Sequence, residues 1–339
     1  MMALSNQDSI NNADRKLLSV VTPCYNESEV IGLFYKELVS VLHSLSGSSG
    51  KMDFEMIFVD DGSRDDTLRQ LNRIAETDPA VRVYSLSRNF GHQIALTAGL
   101  DFAVGDAVVL MDADLQHPPA SIPDLVEKWS EGYDVVAAVR NNTQRTSRFK
   151  DFTSNSFYSI FNFLSTTQIP RGAGDFCLLS RRVCTSLQNM PERHRFLRGM
   201  VSWTGYERAL VPYECAKRAA GRSKYSWRKM IGLAMDAVFS FSAQPLRLAL
   251  RLGLTMTVLG FVYLFWTLLA GLLNGNLVPG YASLIGVMIT LGGFQLAFIG
   301  LIGEYLARVF EEVKGRPIYS IKQMPRESTV STKSKASTA

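Results

Sequence analysis

The chain is expected to fold as an α/β protein: a mostly parallel sheet domain followed by a two-helix transmembrane hairpin. Three observations lead there. From Leu17 to about Arg140, short apolar runs alternate with amphipathic stretches of helix length, the pattern of βαβ units. Polar, chemically loaded clusters fall just after the apolar runs, where such sheets bind ligands. Beyond residue 250 come two long apolar runs without a charge.

Taken in order, strands are predicted over Leu18–Thr22, Phe54–Val59, Val81–Leu86, Ala107–Met111 and Asp134–Val139. Helices are predicted between them over Glu27–Leu45, Asp65–Glu76, His92–Ala103 and Ser121–Ser130. After Arg140 the pattern changes. Asn141–Lys150 reads as a polar, basic loop, and Phe152–Leu164 as amphipathic. Then come Arg171-Gly-Ala-Gly-Asp-Phe176 and the basic segment from Lys217 to Lys224. Ser226–Ser242 is apolar with few charges and suits a helix in the membrane interface, or an ordinary core helix.

Leu252–Leu273 and Tyr281–Ile302 are each about 22 residues long, enough to cross a bilayer core. One such run could be a buried globular helix; two in tandem favour a hairpin. Arg247 and Arg251 precede the first run, and Arg308, Lys314, Arg316 and Lys322 follow the second. That bias places both ends in the cytoplasm, at the inner membrane. Glu304 and Arg308 are spaced to pair along a helix, and Gly292, Gly293, Gly300 and Gly303 would permit close helix approach. The predicted boundaries are a disordered start (1–16), the α/β domain (17–225), an interfacial helix (226–245), the hairpin (246–307) and a basic cytoplasmic tail (308–339). Residues after about Gln323 are Ser/Thr/Lys-rich and read as disordered.

Bulk properties narrow the function. The chain has 339 residues, too many for one small domain, with 47% hydrophobic and 20% charged residues. The net charge is +5, with many basic residues late in the chain, which favours a membrane surface or a phosphate-bearing partner. No nucleic-acid-binding motif is present. Cys24, Cys177, Cys184 and Cys215 show neither C-x-x-C nor zinc spacing and read as reduced packing residues. His43, His92, His117 and His194 form no ligand pattern; His117 reads as a support beside an acid cluster. The polar start, Met1 to Lys16, lacks the apolar segment of a secretory signal.

That acid cluster, Met111-Asp-Ala-Asp-Leu-Gln-His-Pro-Pro119, carries the most chemistry. In an extended segment, Asp112, Asp114 and Gln116 would point the same way, just past a strand end. Three oxygen-bearing side chains there suit Mg²⁺ or Mn²⁺ shared with substrate phosphate oxygens. A lone pair of acids equally suits a capped turn; the surrounding motifs favour the metal. A cytoplasmic metal–diphosphate site tethered to a membrane suggests transfer between a soluble nucleotide and a lipid.

The motif order Pro-x-Tyr-Asn-Glu, Asp-Asp-Gly-Ser, Arg-Asn-Phe-Gly, Asp-Ala-Asp-Leu-Gln-x-Pro-Pro, Gly-Tyr-Asp-Val-Val, Gly-Asp-Phe and Gly-x-Ser-Lys resembles the family-2 polyprenyl-phosphate glycosyltransferases. The C-terminal Leu-Ile-Gly-Glu-Tyr-Leu-Ala-Arg-Val-Phe-Glu-Glu-Val-Lys-Gly-Arg-Pro is similar to the bacterial bactoprenol glucosyltransferases. Dolichol-phosphate mannose synthases share the catalytic domain. The resemblance spans about Leu17 to Tyr319 and implies a Rossmann-like GT-A fold. It implies inverting transfer of a sugar from a nucleotide sugar to polyprenyl phosphate, with UDP-glucose as first reading. UDP-aminoarabinose or GDP-mannose are alternative donors, and a non-catalytic membrane adaptor is the rival class. An adaptor would be expected to lose an acid of the cluster, and both are present. A processive synthase would carry Gln-x-x-Arg-Trp; the nearest string, Gln168-Ile-Pro-Arg-Gly172, lacks the Trp.

By the same resemblance, Pro23, Tyr25, Glu27, Asp60 and Asp61 hold the nucleoside. For Asp60 and Asp61 the plain alternative is a turn or helix cap. Asp112 and Ala113 lie on the ribose side, and Asp114 and Gln116 are the direct metal ligands with Asp112 in the metal shell. Asp114 and Asp175 are the catalytic carboxylates, Asp175 as a base or as an acceptor-orienting group. Arg218 and Lys224 contact donor phosphates, whereas Arg140, Arg148 and Arg222 face acceptor phosphate. A surface salt bridge is the plain alternative for Arg140. Two departures stand out: Cys177 where relatives carry Arg, with Arg171 or Arg181 as candidate replacements, and Arg222 after Gly221. Homo-oligomers, a flippase and a downstream transferase are partners expected by analogy alone.

Overall fold

A computed structural model describes residues 15–50, 52–140, 173–214, 244–274 and 281–325. Arg148, Arg171, Arg218, Arg222, Lys224 and nearly all of the expected interfacial helix lie outside the described residues.

The chain divides into two units, 1–158 with 168–225 and 317–339, and 159–167 with 226–316. In the first, strands β1 (Lys16–Cys24), β2 (Met52–Asp60), β3 (Val81–Leu86), β4 (Ala107–Leu110) and β5 (Val135–Arg140) alternate with helices. These are α1 (Ile31–Ser49), α2 (Thr67–Thr77), α3 (His92–Phe102) and α4 (Ile122–Ser130). They are followed by β6 (Ala173–Ser180), α5 (Arg181–Gln188), α6 (Leu197–Trp203) and β7 (Arg208–Tyr213). All eight strands, the last being β8 (Ile321–Gln323), form one sheet in the order β7-β5-β6-β4-β1-β2-β3-β8. Pairings β1–β2, β1–β4, β2–β3 and β5–β7 are parallel, and β6 and β8 pair antiparallel.

The alternation of side chains along each strand builds a core on both faces. On one face Leu18, Val20, Met56, Phe58 and Val109 meet Ile31, Phe34, Leu38 and Leu42 of α1, with Phe34 edge-on to Phe58 at 6.3 Å. On the other, α3 lies directly on β1 and β2. A Cβ added to Gly99 would stand 2.2 Å from Val21 Cγ1, so only glycine permits that approach. This contact fixes the start of α3 above the strand ends.

Two expectations need correction, and one strand enters the sheet at a place that no expectation specified. Helix α1 starts at Ile31, not Glu27, because Asn26 adopts φ +53° and Glu27 O accepts from Val30 N and Ile31 N, which closes a turn first. Strand β5 is not next to β4: antiparallel β6 lies between them, since Leu110 pairs with Cys177 and Ala137 pairs with the same residue from the other side. The segment from residue 308 onward is not simply a tail. Helical structure continues to Val313, and Ile321–Gln323 returns as an edge strand against β3. Tyr319 Oη donates to Asp101 Oδ2 at 2.8 Å and Gln323 Nε2 to Asn72 Oδ1 at 2.9 Å, which anchors that return. A three-residue strand carries no periodicity to read, so the sequence did not announce it.

The second unit contains α7 (Gln244–Asn274) and α8 (Tyr281–Val313). Phe261, Phe265 and Leu296 are among many large apolar side chains that face outward, 68%, 69% and 72% exposed. A helix apolar all round and unburied fits a lipid environment. Among the described residues, Leu291–Val313 is one stretch long and apolar enough to cross a membrane, and Ala249–Tyr263 is a shorter apolar stretch. Arg308 Nη2 lies 3.4 Å from Glu304 Oε1.

Candidate active site

Four loops converge at the carboxyl ends of the central parallel strands. The turn after β1 is tied to the turn after β2: Asn26 N donates to Ser63 Oγ (3.0 Å), Arg64 N to Asn26 Oδ1 (2.8 Å) and Glu27 N to Thr67 Oγ1 (2.8 Å). Pro23 is buried at the end of β1, and Tyr25 and Glu27 are partly exposed beside it. These hydrogen bonds join the two turns into one shelf. Asp60 and Asp61 are almost fully buried beneath it. Asp60 accepts from Ser63 N and Ser85 Oγ, and Asp61 from Phe90 N (2.7 Å) and Gly91 N (3.0 Å). Burial pushes the Asp61 carboxyl up, and the two backbone N–H groups partly offset this. Gly62, at φ +70°, lets this turn touch the next loop: a Cβ there would lie 2.6 Å from Arg88 C.

The acid cluster follows β4 without continuing the strand. β4 ends at Leu110, residues 113–117 turn, and Leu115 adopts φ +59°. The expectation that extended geometry aligns Asp112, Asp114 and Gln116 is therefore corrected. Pro118 and Pro119 cannot continue a ladder, and the chain reverses before them. Asp114 Oδ1 accepts from Gln116 N at 3.1 Å, so a turn brings these residues together. His117 folds back, its Nδ1 accepting from Asp112 N at 3.1 Å while its ring stacks on Phe176 at 5.1 Å. Ala113 is buried beneath the turn.

Asp175, on β6, faces this cluster across His92. His92 Nε2 lies 3.4 Å from both Asp112 Oδ1 and Asp175 Oδ2. Arg198 of α6 grips Asp175 with two parallel hydrogen bonds, Nε to Oδ1 at 2.7 Å and Nη2 to Oδ2 at 2.9 Å. Gln93 Nε2 adds a third at 3.2 Å, and its Oε1 accepts from Leu197 N at 3.0 Å. Burial alone would raise the Asp175 carboxyl, but the Arg198 guanidinium and the His92 hydrogen bond hold it far below the usual carboxylate range. The His92 ring is pushed up to about 9: burial opposes this, and the Asp175 and Asp112 carboxylates outweigh it.

The sequence reading missed His92, Gln93 and Arg198. His92 and Gln93 directly follow Arg-Asn-Phe-Gly at a predicted helix start, a signal that was available. Arg198 had none, because 23 residues separate it from Asp175. Arg181 does not replace the arginine missing at Cys177: it donates to the carbonyls of Ala103 and Gly105 and braces the opposite end of the sheet. Cys177 is buried, and burial pushes its thiol up. Arg140 ends β5 with an exposed side chain.

Residues 19–187 match the family model for glycosyl transferase family 2, and residues 244–309 match the GtrB C-terminal hairpin. An uncharacterized glycosyltransferase of Bacillus subtilis (strain 168) is 41% identical over 90% of this chain and 93% of its own. The SfII prophage-derived bactoprenol glucosyl transferase of Shigella flexneri is 42% identical over 91% of this chain and 98% of its own. The chain belongs to glycosyl transferase family 2. As a family-2 enzyme with a mostly parallel sheet, it has the GT-A fold class expected from its motifs. A mannosyltransferase from Pyrobaculum calidifontis, solved with GDP-Man and Mn²⁺, is similar at 18% identity, with TM-score 0.46 over 90% of this chain and 89% of that one.

Proposed function

We propose that this enzyme transfers a sugar from a nucleotide sugar to polyprenyl phosphate at the cytoplasmic face of the membrane, with inversion at the anomeric carbon. Glucose from UDP-glucose is the reading favoured by the similarity to bactoprenol glucosyl transferases. The observation that carries the proposal is the convergence of Asp112, from the loop after β4, and Asp175, from β6, on His92 beside the shelf formed by Tyr25, Glu27, Asp60 and Asp61. An adaptor without catalysis would not need this arrangement.

The residues fit a divalent cation. Asp112 Oδ1 is buried without a hydrogen bond, an arrangement that a cation would relieve. Among the described residues no three His, Cys, Asp or Glu side chains form a complete cage, so substrate oxygens would complete the shell. Asp112, Asp114 and Gln116 would hold Mg²⁺ or Mn²⁺, which when bound neutralises charge on the departing diphosphate. A phosphate oxygen of the acceptor attacks the anomeric carbon, and the carbon–oxygen bond to the donor diphosphate breaks with its electron pair. By the family resemblance, Arg140, Arg148 and Arg222 would hold the acceptor phosphate, and Arg218 and Lys224 the donor phosphates. Positioning and charge neutralisation supply most of the rate.

The test is a screen of radiolabelled sugar nucleotides on membranes supplied with polyprenyl phosphate. Labelled lipid is expected from UDP-glucose. Label from GDP-mannose or UDP-aminoarabinose alone would change the donor, and no lipid label from any donor would end the proposal.

The short return of the chain to the sheet supports a cytoplasmic end for α8. Only Lys314 to Ser320 lie between α8 and β8. At about 3.5 Å per residue this connection is too short to recross a bilayer core of about 30 Å. This supports, for the end of α8, the cytoplasmic side that the charge bias gives to both hairpin ends. A reporter fused after Tyr319 is therefore expected to read cytoplasmic, and one inserted at Gly275 periplasmic. Two cytoplasmic readings would mean that the hairpin does not span.

A further inference from the structure

We propose that Asp175 acts as a positioning residue, a fixed anion that sets Arg198 and His92 against the reacting centre, and does not take a proton from the acceptor. Gln93 completes the device by tying Asp175 to the start of α6. The inference rests on the transfer reaction proposed above, but concerns a role that the reaction leaves open.

The geometry argues against a base. A general base needs an accessible lone pair within hydrogen-bond reach of the proton it removes. Oδ2 takes two hydrogen bonds, from Arg198 Nη2 at 2.9 Å and Gln93 Nε2 at 3.2 Å, and Oδ1 takes Arg198 Nε at 2.7 Å, so three of about four acceptor sites are engaged. His92 Nε2 stands 3.4 Å from the same Oδ2, and the side chain is only 9% exposed. A bidentate guanidinium pair is among the strongest and most directional contacts in proteins. Breaking it to accept a proton would forfeit an ion pair whose carboxylate is largely buried. Chemistry removes the need as well. A phosphate monoester has its second ionisation near pH 6, so the nucleophile is anionic at neutral pH. Forming the bond from phosphate oxygen to anomeric carbon and releasing the nucleoside diphosphate then balances without a proton transfer.

What the anion does instead is join three elements. Arg198 comes from α6, Gln93 and His92 from the first turn of α3, and Asp175 from β6. Gln93 Oε1 accepts from Leu197 N, so α3 and α6 are bridged next to the Asp175–Arg198 pair. His92 extends the chain of contacts to Asp112. Loss of Asp175 would thus release Arg198 and His92 together.

A double-mutant cycle on the full-length enzyme in detergent tests this, using UDP-glucose, or whichever donor labels lipid, and polyprenyl phosphate. Asp175→Asn and Arg198→Gln are each expected to lower kcat by about a hundredfold, and the double variant by little more than the worse single one, since residues acting as a unit are non-additive. The residual activity of Asp175→Asn should keep the wild-type pH profile. Multiplicative losses, or loss of one limb of the profile in Asp175→Asn, would overturn the proposal. If Asp175→Asn fails to fold, Gln93→Leu decides. A fixed anion predicts a lower kcat with nucleotide KM unchanged. A base predicts an unchanged or faster rate, because a lone pair on Oδ2 is released. Absence of lipid labelling by the wild-type enzyme would instead defeat the transfer reading itself.

Discussion

Asp114→Ala is expected to remove nearly all transfer activity, at least about a thousandfold, while the protein folds normally. A loss of that size corresponds to about 4 kcal/mol of transition-state stabilisation. Asp114 sits in the turn after β4, partly exposed, with Oδ1 accepting from Gln116 N. Removing one turn hydrogen bond at a partly exposed site costs about 1 kcal/mol, too little to unfold a domain with this core. On the proposed reading, the activity loss would come from the diphosphate, whose developing charge Asp114 would help to neutralise by holding a cation. The wild-type enzyme should therefore stop in EDTA and recover with Mg²⁺ or Mn²⁺, and the variant should recover with neither. Thermal melting and lipid-labelling rates on the same preparations check both halves. Full activity in the variant, or a wild-type enzyme indifferent to chelator, would remove the cation from the site.

Sequence reading located this loop but derived its shape wrongly. The residue types and their position after an apolar run were enough to name Asp112, Asp114 and Gln116. Strand alternation does not hold there: the chain turns, with Leu115 at φ +59° and Gln116 N donating to Asp114 Oδ1. The first five strands were legible because βαβ units carry a strong change of period, apolar runs against amphipathic helices. β6 and β8 were not. β6 is inserted antiparallel between β4 and β5, a long-range pairing that no local pattern encodes. β8 follows the two long C-terminal helices and pairs with β3, more than 230 residues earlier. The same limit applies to Arg198. Charge patterning reads along the chain, whereas this arginine acquires its meaning from Asp175 across the fold. His92 was legible as a helix start and hidden as a bridge, because bridging depends on where β6 enters the sheet.

Asp61→Ala is expected to destabilise the protein by about 2–4 kcal/mol and to weaken nucleotide binding, whereas Arg140→Lys should leave the melting temperature unchanged and impair use of polyprenyl phosphate. The contrast follows from burial. Asp61 is 3% exposed, and its two oxygens accept from Phe90 N and Gly91 N. Hydrogen bonds to a charged group contribute about 1.5–3 kcal/mol each, and removing the acceptor leaves two partly buried backbone donors unpaired. The cost of burying the carboxylate, seen in its raised pKa, offsets part of that. The damage would also travel a short distance: Gly91 is followed by His92 and Gln93, the residues that meet Asp112 and Asp175. On the proposed reading one carboxylate serves both as a nucleoside contact and as a structural cap, and Asp61→Asn, which keeps one acceptor oxygen, should fall between wild type and Asp61→Ala. Arg140 is exposed at the end of β5, so lysine there preserves charge and loses only the paired hydrogen bonds a guanidinium gives phosphate. Calorimetric nucleotide affinity, thermal melting and lipid-dependent rates on the variants separate the two. A melting temperature unchanged in Asp61→Ala would mean that Phe90 N and Gly91 N do not depend on it. Nucleotide binding weakened as much by Arg140→Lys as by Asp61→Ala would place Arg140 in the donor site.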